Sequence, residues 1–150
     1  MANPITIIKK DHRNVEVLFS RYEELGVQAF KTKQDLVTQI INELRVHAEM
    51  EEAIPYPAFE KQFSKEGDAM VEEAIAEHDV AKTLMTEIET LSPEDPQFDA
   101  KVKVLNEVIN HHVKEEEEEL LPKAQTEINA DEFERLGDEM LCFKKERGAE

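Results

Sequence analysis

The chain has 150 residues, 40% of them hydrophobic, and only four glycines, which favours one helical domain with a single core. Its 35 acidic and 18 basic residues give a net charge of −17, so we expect neither nucleic acid nor an anionic membrane as a partner. Cys142 is a single cysteine, and the chain contains no run of about eighteen apolar residues, so we expect a cytoplasmic protein without disulfides.

Five segments with helical periodicity follow one another along the chain. The first begins at Asn3-Pro4 and ends at Gly26, and the second runs up to Pro55. The third follows a connection at 64–68, the fourth follows the turn at 92–96 and ends near Pro122, and a short fifth covers about 131–146. We expect an all-α fold, an antiparallel up-down four-helix bundle with a short C-terminal helix, forming one domain over 1–150.

An internal repeat divides this chain into two similar helical hairpins, about 4–63 and 68–122. The first helix of each hairpin carries an acidic residue followed by histidine, Asp11-His12 and Glu77-His78, with the histidines 66 residues apart. The second helix carries His-x-x-x-Glu followed six residues later by proline, and these two motifs are 65 residues apart. The repeat therefore selects six residues: His12, His47, Glu51, His78, His112 and Glu116.

These six side chains are expected to meet at one level of the bundle. Two residues of an antiparallel hairpin lie level when the turn is midway between them, at about 1.5 Å rise per residue in both helices. The midpoints fall at 29–30 for the first hairpin, at Asp95 for the second, and at Ser64–Lys65 between them. Because positions i and i+4 share a helix face, each glutamate also lies beside its histidine.

The chemistry of this set predicts a metal centre. A purely structural polar cluster is the alternative, but burying uncompensated charged groups would cost several kcal/mol for each group. Imidazole and carboxylate without thiolate suit iron first, and manganese or zinc less well. Two bridging glutamates, four histidines and one oxo or hydroxo bridge would supply about ten of the twelve bonds of two six-coordinate ions. One position on each ion would then remain for a small ligand.

The same residues resemble the hemerythrin-like (HHE cation-binding) family. The resemblance rests on Asp11-His12, His47-x-x-x-Glu51, Glu77-His78 and His112-x-x-x-Glu116, together with the prolines that follow the second and fourth motifs. It implies a carboxylate-bridged di-iron centre that reacts with oxygen, peroxide or nitric oxide. In the family's reversible oxygen carriers an additional histidine lies four residues before the position of His78, where this chain has Ala74.

Because this additional histidine is missing, we do not expect the chain to be a stable oxygen carrier. The resemblance is therefore to the members with four histidines, and it implies catalase-like peroxide breakdown or the handling of oxidative and nitrosative stress. The alternative is a module that binds or senses oxygen or nitric oxide, or that stores or delivers iron, without turnover. Whether the chain is an enzyme stays open at this point.

Several other residues are less favoured as ligands or neighbours of the metal centre. His111 could replace His112 if the helix register differed, but its face carries acidic residues and predicts exposure. Glu16 follows His12 by four residues, yet Lys82 occupies the matching position of the second hairpin. Tyr22 and Tyr56 could donate hydrogen bonds at the centre, although their counterparts, Ile88 and Leu121, favour simple core packing. Met50, Met85 and Cys142 are expected to be ordinary core or surface residues.

Overall fold

The computed structural model describes residues 2–63 and 65–148, without the side chain of Glu66. Seven α-helices follow in order: α1 Pro4–Glu23, α2 Phe30–Ala53, α3 Pro55–Gln62, α4 Lys65–Glu89, α5 Pro96–Glu115, α6 Leu121–Glu127 and α7 Ala130–Glu146. One π-helical turn, Glu116–Leu120, joins α5 to α6 without a break. Ser64, the expected centre of the middle connection, lies outside the described residues.

The predicted bundle is confirmed. Helix α1 packs against α2, and α4 packs against α5, so each sequence repeat forms one antiparallel hairpin. Asn3 and Asp95 cap α1 and α5, since their side-chain oxygens accept hydrogen bonds from the amides of Ile5 (2.8 Å) and Gln97 (2.9 Å). The short C-terminal helix α7 lies on α1 and α2.

The second segment ends before Pro55 as expected, and Pro55 then starts a further helix, α3, that was not expected. Two helix ends differ from the prediction. Helix α4 begins at Lys65, inside the expected connection at 64–68. The fourth segment does not stop near Pro122 but continues to Glu127, because a π turn directly before this proline widens the helix. A proline ring lacks an amide donor and crowds the carbonyl of the preceding turn, and the wider turn relieves this conflict.

Two apolar clusters fill the bundle, one on each side of the predicted metal layer. The first lies around Ile8, Met50 and Phe59, and the second around Phe19, Ile41 and Met85. The two methionines are therefore core residues, as expected. No helix within the described residues is both long enough and apolar enough to cross a lipid bilayer.

Candidate metal centre

The two hairpins bring the six predicted residues together in the layer between the apolar clusters. His12 comes from α1, His47 and Glu51 from α2, and His78 from α4. His112 lies near the end of α5, and Glu116 is the first residue of the π turn. All six residues are buried, with relative exposures between 0% and 8%.

The donor atoms form two overlapping groups that share one carboxylate. His12, His47, Glu51 and Glu116 make the first group, and Glu51, His78 and His112 make the second, with all atoms of a group within 4.8 Å of one another. Glu51 Oε1 lies 3.2 Å from Nε2 of His47 and 3.1 Å from Nε2 of His78. This single carboxylate therefore connects the histidines of both hairpins.

Glu116, which belongs to the second hairpin, also lies between histidines of both hairpins. Its Oε1 lies 3.0 Å from Nε2 of His12, and its Oε2 lies 3.6 Å from Nε2 of His112. The Nε2 atoms of His78 and His112 are 3.2 Å apart. Every histidine thus directs Nε2 toward the interior of the layer.

Unpartnered buried atoms show that this layer fits metal ions. Within the described part of the chain, the buried side-chain atoms without a hydrogen-bond partner include His12 Nε2, His47 Nε2, Glu51 Oε2 and Glu116 Oε1. Such atoms are costly in a protein interior, where polar groups are nearly always paired. Because lone pairs of imidazole nitrogen and carboxylate oxygen are metal donors, a cation among them would remove the cost.

The other ring nitrogen of every histidine meets a further carboxylate. The Nδ1-to-oxygen distances are 2.5 Å from His12 to Glu117, 2.7 Å from His47 to Asp11, 2.8 Å from His78 to Glu52 and 2.8 Å from His112 to Glu77. A carboxylate at Nδ1 keeps the proton on that nitrogen, so Nε2 is the nitrogen that gives its lone pair to a metal. We call these four residues the outer carboxylates.

The outer carboxylates were missed as functional residues in the sequence, although the repeat contains a signal for them. Asp11 and Glu77 each precede a histidine of the set, while Glu52 and Glu117 each follow a glutamate of the set. Each acidic residue supports a histidine on a neighbouring helix, not the histidine of its own helix. The local motif therefore gives no hint of the partner, but the repetition of all four acidic positions could have done so.

Tyr56 belongs to this layer, so the expectation of simple core packing was wrong for it. The side chain is buried, and its hydroxyl donates to Glu51 Oε1 at 3.2 Å and also contacts Glu116 Oε2. Its ring stacks on His78 with centroids 5.5 Å apart. Burial and the charges of Glu116 and Glu51 raise the pKa of Tyr56 well above its usual value, so the phenol stays protonated as a donor.

The charges in the layer shift the acid–base properties of its members. Burial alone would lower the pKa of His47, but the charge of Glu51 and the hydrogen bond to Asp11 outweigh it and raise the pKa to about 10. The pKa of Glu51 lies well below its usual value because nearby histidines outweigh the effect of burial. Without metal, His47 is thus held beside Glu51 and Asp11 by imidazolium–carboxylate attraction.

The residues that the sequence disfavoured as metal ligands mostly lie where they were expected. His111 is 62% exposed and lies 3.2 Å from Glu115, which confirms His112 as the inward-facing member of the pair. Glu16 is exposed and pairs with Arg13. Tyr22 packs in the second core cluster and donates to Asp99, outside the metal layer. Cys142 is exposed.

A small apolar cavity adjoins the histidines. Its volume is about 30 Å³, and its wall consists of all four histidines together with apolar side chains: Leu44, Ala48, Ala81, Met85, Ile109 and Val113. Its size suits one very small molecule and excludes an organic substrate. The arrangement combines a set of N and O donors with a small, mostly apolar-walled space beside them.

Comparison with known proteins identifies the class to which this fold and site belong. The profile of the hemerythrin HHE cation binding domain matches residues 3–124, and the chain belongs to that family. The match covers both hairpins and ends before α7. The family resemblance predicted from the sequence is confirmed, and so is a role in cation binding.

The individual proteins that resemble this chain are less than 30% identical to it. The chain is 29% identical over 92% of its length to a protein of Nostoc sp. named DNA nickase, and 28% identical over 83% to an uncharacterized hemerythrin-like protein of Schizosaccharomyces pombe. It spans 38% and 61%, respectively, of the lengths of these two relatives. A crystal structure of a hemerythrin HHE cation binding domain-containing protein from Mycobacterium kansasii has the same fold, with a TM-score of 0.83 at 23% identity over 99% of this chain and 89% of that one.

Proposed function

We propose that the chain holds two iron ions on His12, His47, Glu51, His78, His112 and Glu116 and breaks down peroxide in a catalase-like reaction. The observation that carries this proposal is the set of convergent buried donor atoms without hydrogen-bond partners. When bound, the iron pair would supply electron storage and Lewis acidity for turning peroxide into oxygen and water.

Two ions fit the donor set better than one. Glu51 and Glu116 each lie between histidines of different hairpins, so both carboxylates would help to hold two cations. The donors divide into one group with four residues and one with three, and Glu51 is common to both. The set contains imidazole and carboxylate but no thiolate, and this combination suits iron first. Manganese and zinc are the less favoured alternatives.

The protein's own residues would prepare the site in three ways. The outer carboxylates hold each imidazole ring with Nε2 directed into the layer, which saves reorganisation of the ring when metal binds. The Tyr56 hydroxyl holds Glu51 and contacts Glu116. The small cavity beside the histidines limits access to very small molecules, of which hydrogen peroxide is one.

A direct assay tests this proposal. Protein reconstituted anaerobically with ferrous iron should evolve oxygen from hydrogen peroxide over many turnovers, and His78→Ala should abolish the activity. His111→Ala is the matched control, because this histidine is exposed and reaches the six-residue layer only through Glu77 at 3.3 Å, and it should retain most of the activity. Oxygen evolution that survives in the His78→Ala variant, or that is absent from iron-loaded wild-type protein, would contradict the proposal.

A second candidate function is favoured by the apolar character of the cavity. Oxygen and nitric oxide are diatomic molecules of low polarity, and a mostly apolar-walled space of this size suits them. In that case the chain would bind or sense such a ligand without turnover. An optical titration with nitric oxide that gives a stable species, combined with few peroxide turnovers per chain, would favour this function over the first.

A further inference from the structure

Each outer carboxylate is itself paired with a cationic or basic side chain farther from the layer. Each histidine of the layer is therefore the first of three groups in contact: the histidine, its outer carboxylate and the basic side chain that pairs with this carboxylate. The partners are Arg13 for Glu117 at 2.5 Å, Lys82 for Glu52 at 2.8 Å, His111 for Glu77 at 3.3 Å, and Lys144 for Asp11.

Lys144 differs from the other partners in its burial. Its side chain is 6% exposed, compared with 38% for Lys82 and 52% for Arg13. An ammonium group taken out of water costs several kcal/mol unless a partner compensates it, so this position is not that of an ordinary surface lysine. Asp11 supplies the compensation with Oδ1, while its Oδ2 faces His47 Nδ1 at 2.7 Å.

The helix that delivers Lys144 is held tightly against the bundle. Lys144 lies near the end of α7, which begins six residues after the part of the chain matched by the family profile. A Cβ atom at Gly137 would lie 2.6 Å from the carbonyl oxygen of Ala2, so the glycine permits close contact between α7 and the N-terminal segment. Met140, one turn before Lys144, is fully buried in the first core cluster. The ammonium group therefore has a fixed place beside Asp11.

We propose that Lys144 is a positioning residue that ties α7 to the metal centre and raises the reduction potential of the iron pair. This inference rests on the proposed function. Lys144 fixes the carboxylate of Asp11, and Asp11 fixes the ring of His47 with Nε2 directed into the layer. A positive charge held in a poorly solvated place disfavours the more highly charged ferric state, and exposed cations such as Lys82 are screened by water.

The test compares the midpoint potential of the iron centre among matched variants by spectroelectrochemical titration. Lys144→Gln keeps a hydrogen-bond donor but removes the charge, Lys144→Arg keeps both, and Lys82→Gln is the exposed control. We expect Lys144→Gln to lower the potential so that the ferric-to-ferrous ratio at a fixed potential rises at least threefold, roughly 30 mV at 59 mV per tenfold change. Lys144→Arg should restore the wild-type value, and Lys82→Gln should shift it less than Lys144→Gln does.

Two results would overturn the inference. One is a midpoint potential in Lys144→Gln that equals the wild-type value at wild-type iron content. The other is a shift in Lys82→Gln as large as the shift in Lys144→Gln. If Lys144→Gln does not fold, as judged by circular dichroism, Lys144→Met gives the same comparison with an uncharged side chain of similar length. A failure of the proposed peroxide reaction is distinguishable, because iron-loaded wild-type protein would then show no turnover, whereas the potentials of wild type and variants could still be compared.

Discussion

The hydroxyl of Tyr56 lies 3.2 Å from Oε1 of Glu51, at the place where this carboxylate meets the histidines of both hairpins. The phenol also contacts Glu116, so one side chain from the short helix α3 touches both carboxylates of the layer. A protonated donor between two buried carboxylates reduces their repulsion and sets their orientation before metal binds.

Tyr56→Phe should therefore weaken the metal-free protein. Removing the hydroxyl leaves two buried carboxylates without this donor, and hydrogen bonds to charged groups are worth about 1.5–3 kcal/mol. Denaturant unfolding of the metal-free variant should show a loss of that order, and the optical spectrum of the iron-loaded variant should change. Tyr22→Phe is the control, because its hydroxyl contacts Asp99 outside the metal layer. An iron spectrum that changes equally in both variants would argue against a specific role for Tyr56.

Removing an outer carboxylate should weaken iron binding without abolishing it. Glu117 lies 2.5 Å from Nδ1 of His12, and losing such a support costs about 10–100-fold in metal affinity. Glu117→Ala should show this loss in a competition titration against a chelator of known affinity. Glu118→Ala, an exposed neighbour in the same π turn, should bind iron as the wild type does. Equal affinities in the two variants would mean that the carboxylate does not support the ring.

The stability of the metal-free protein should fall as the pH rises above neutrality. The pKa of His47 is raised from 6.5 to about 10, so its contribution to stability is complete below pH 6.5 and is lost as the pH rises through about 10. Metal binding has the opposite dependence, because the metal competes with a proton for Nε2. Thermal unfolding between pH 6 and pH 10, with and without iron, measures both effects. A metal-free protein that is as stable at pH 10 as at pH 6 would contradict the assignment.

Filling the apolar cavity should slow the reaction with peroxide while iron binding is retained. Ala81 is buried in the cavity wall, and valine at this position would occupy much of the 30 Å³ space. Overpacking of this kind costs about 1–3 kcal/mol of stability, so the variant should still fold. Stopped-flow mixing of iron-loaded Ala81→Val with peroxide should give a slower reaction than wild type at equal iron content. An unchanged rate would mean that peroxide reaches the centre by another route.

The helical bundle and the convergence of six residues followed from the sequence because both depend on periodicity. Residues at i and i+4 share a face, and the two hairpins repeat the same spacing, so His12 and His78 could be placed without coordinates. Tyr56 could not be placed in this way, because its counterpart in the repeat is Leu121 and the two hairpins differ there. The π turn at Glu116 could not be predicted either, since it arises from a backbone adjustment next to Pro122.

Lys144 illustrates a different limit of sequence reasoning. Its contact with Asp11 joins residues 133 positions apart, and no motif or repeat connects α7 to α1. In a chain with 35 acidic residues, a lysine on an amphipathic helix is expected to be solvated, and only the packing of α7 shows that this one is buried. Charge pairs between distant elements depend on tertiary packing, which periodicity alone does not give.

Metal content per chain is the most direct test of the central claim. Protein prepared without a metal-affinity tag and reconstituted anaerobically with ferrous iron should contain close to two iron ions per chain by elemental analysis. The variant Glu51→Ala, which removes the carboxylate shared by both donor groups, should contain fewer. Wild-type protein that binds no metal after reconstitution would contradict the account, because the buried donors would then form a purely structural polar cluster.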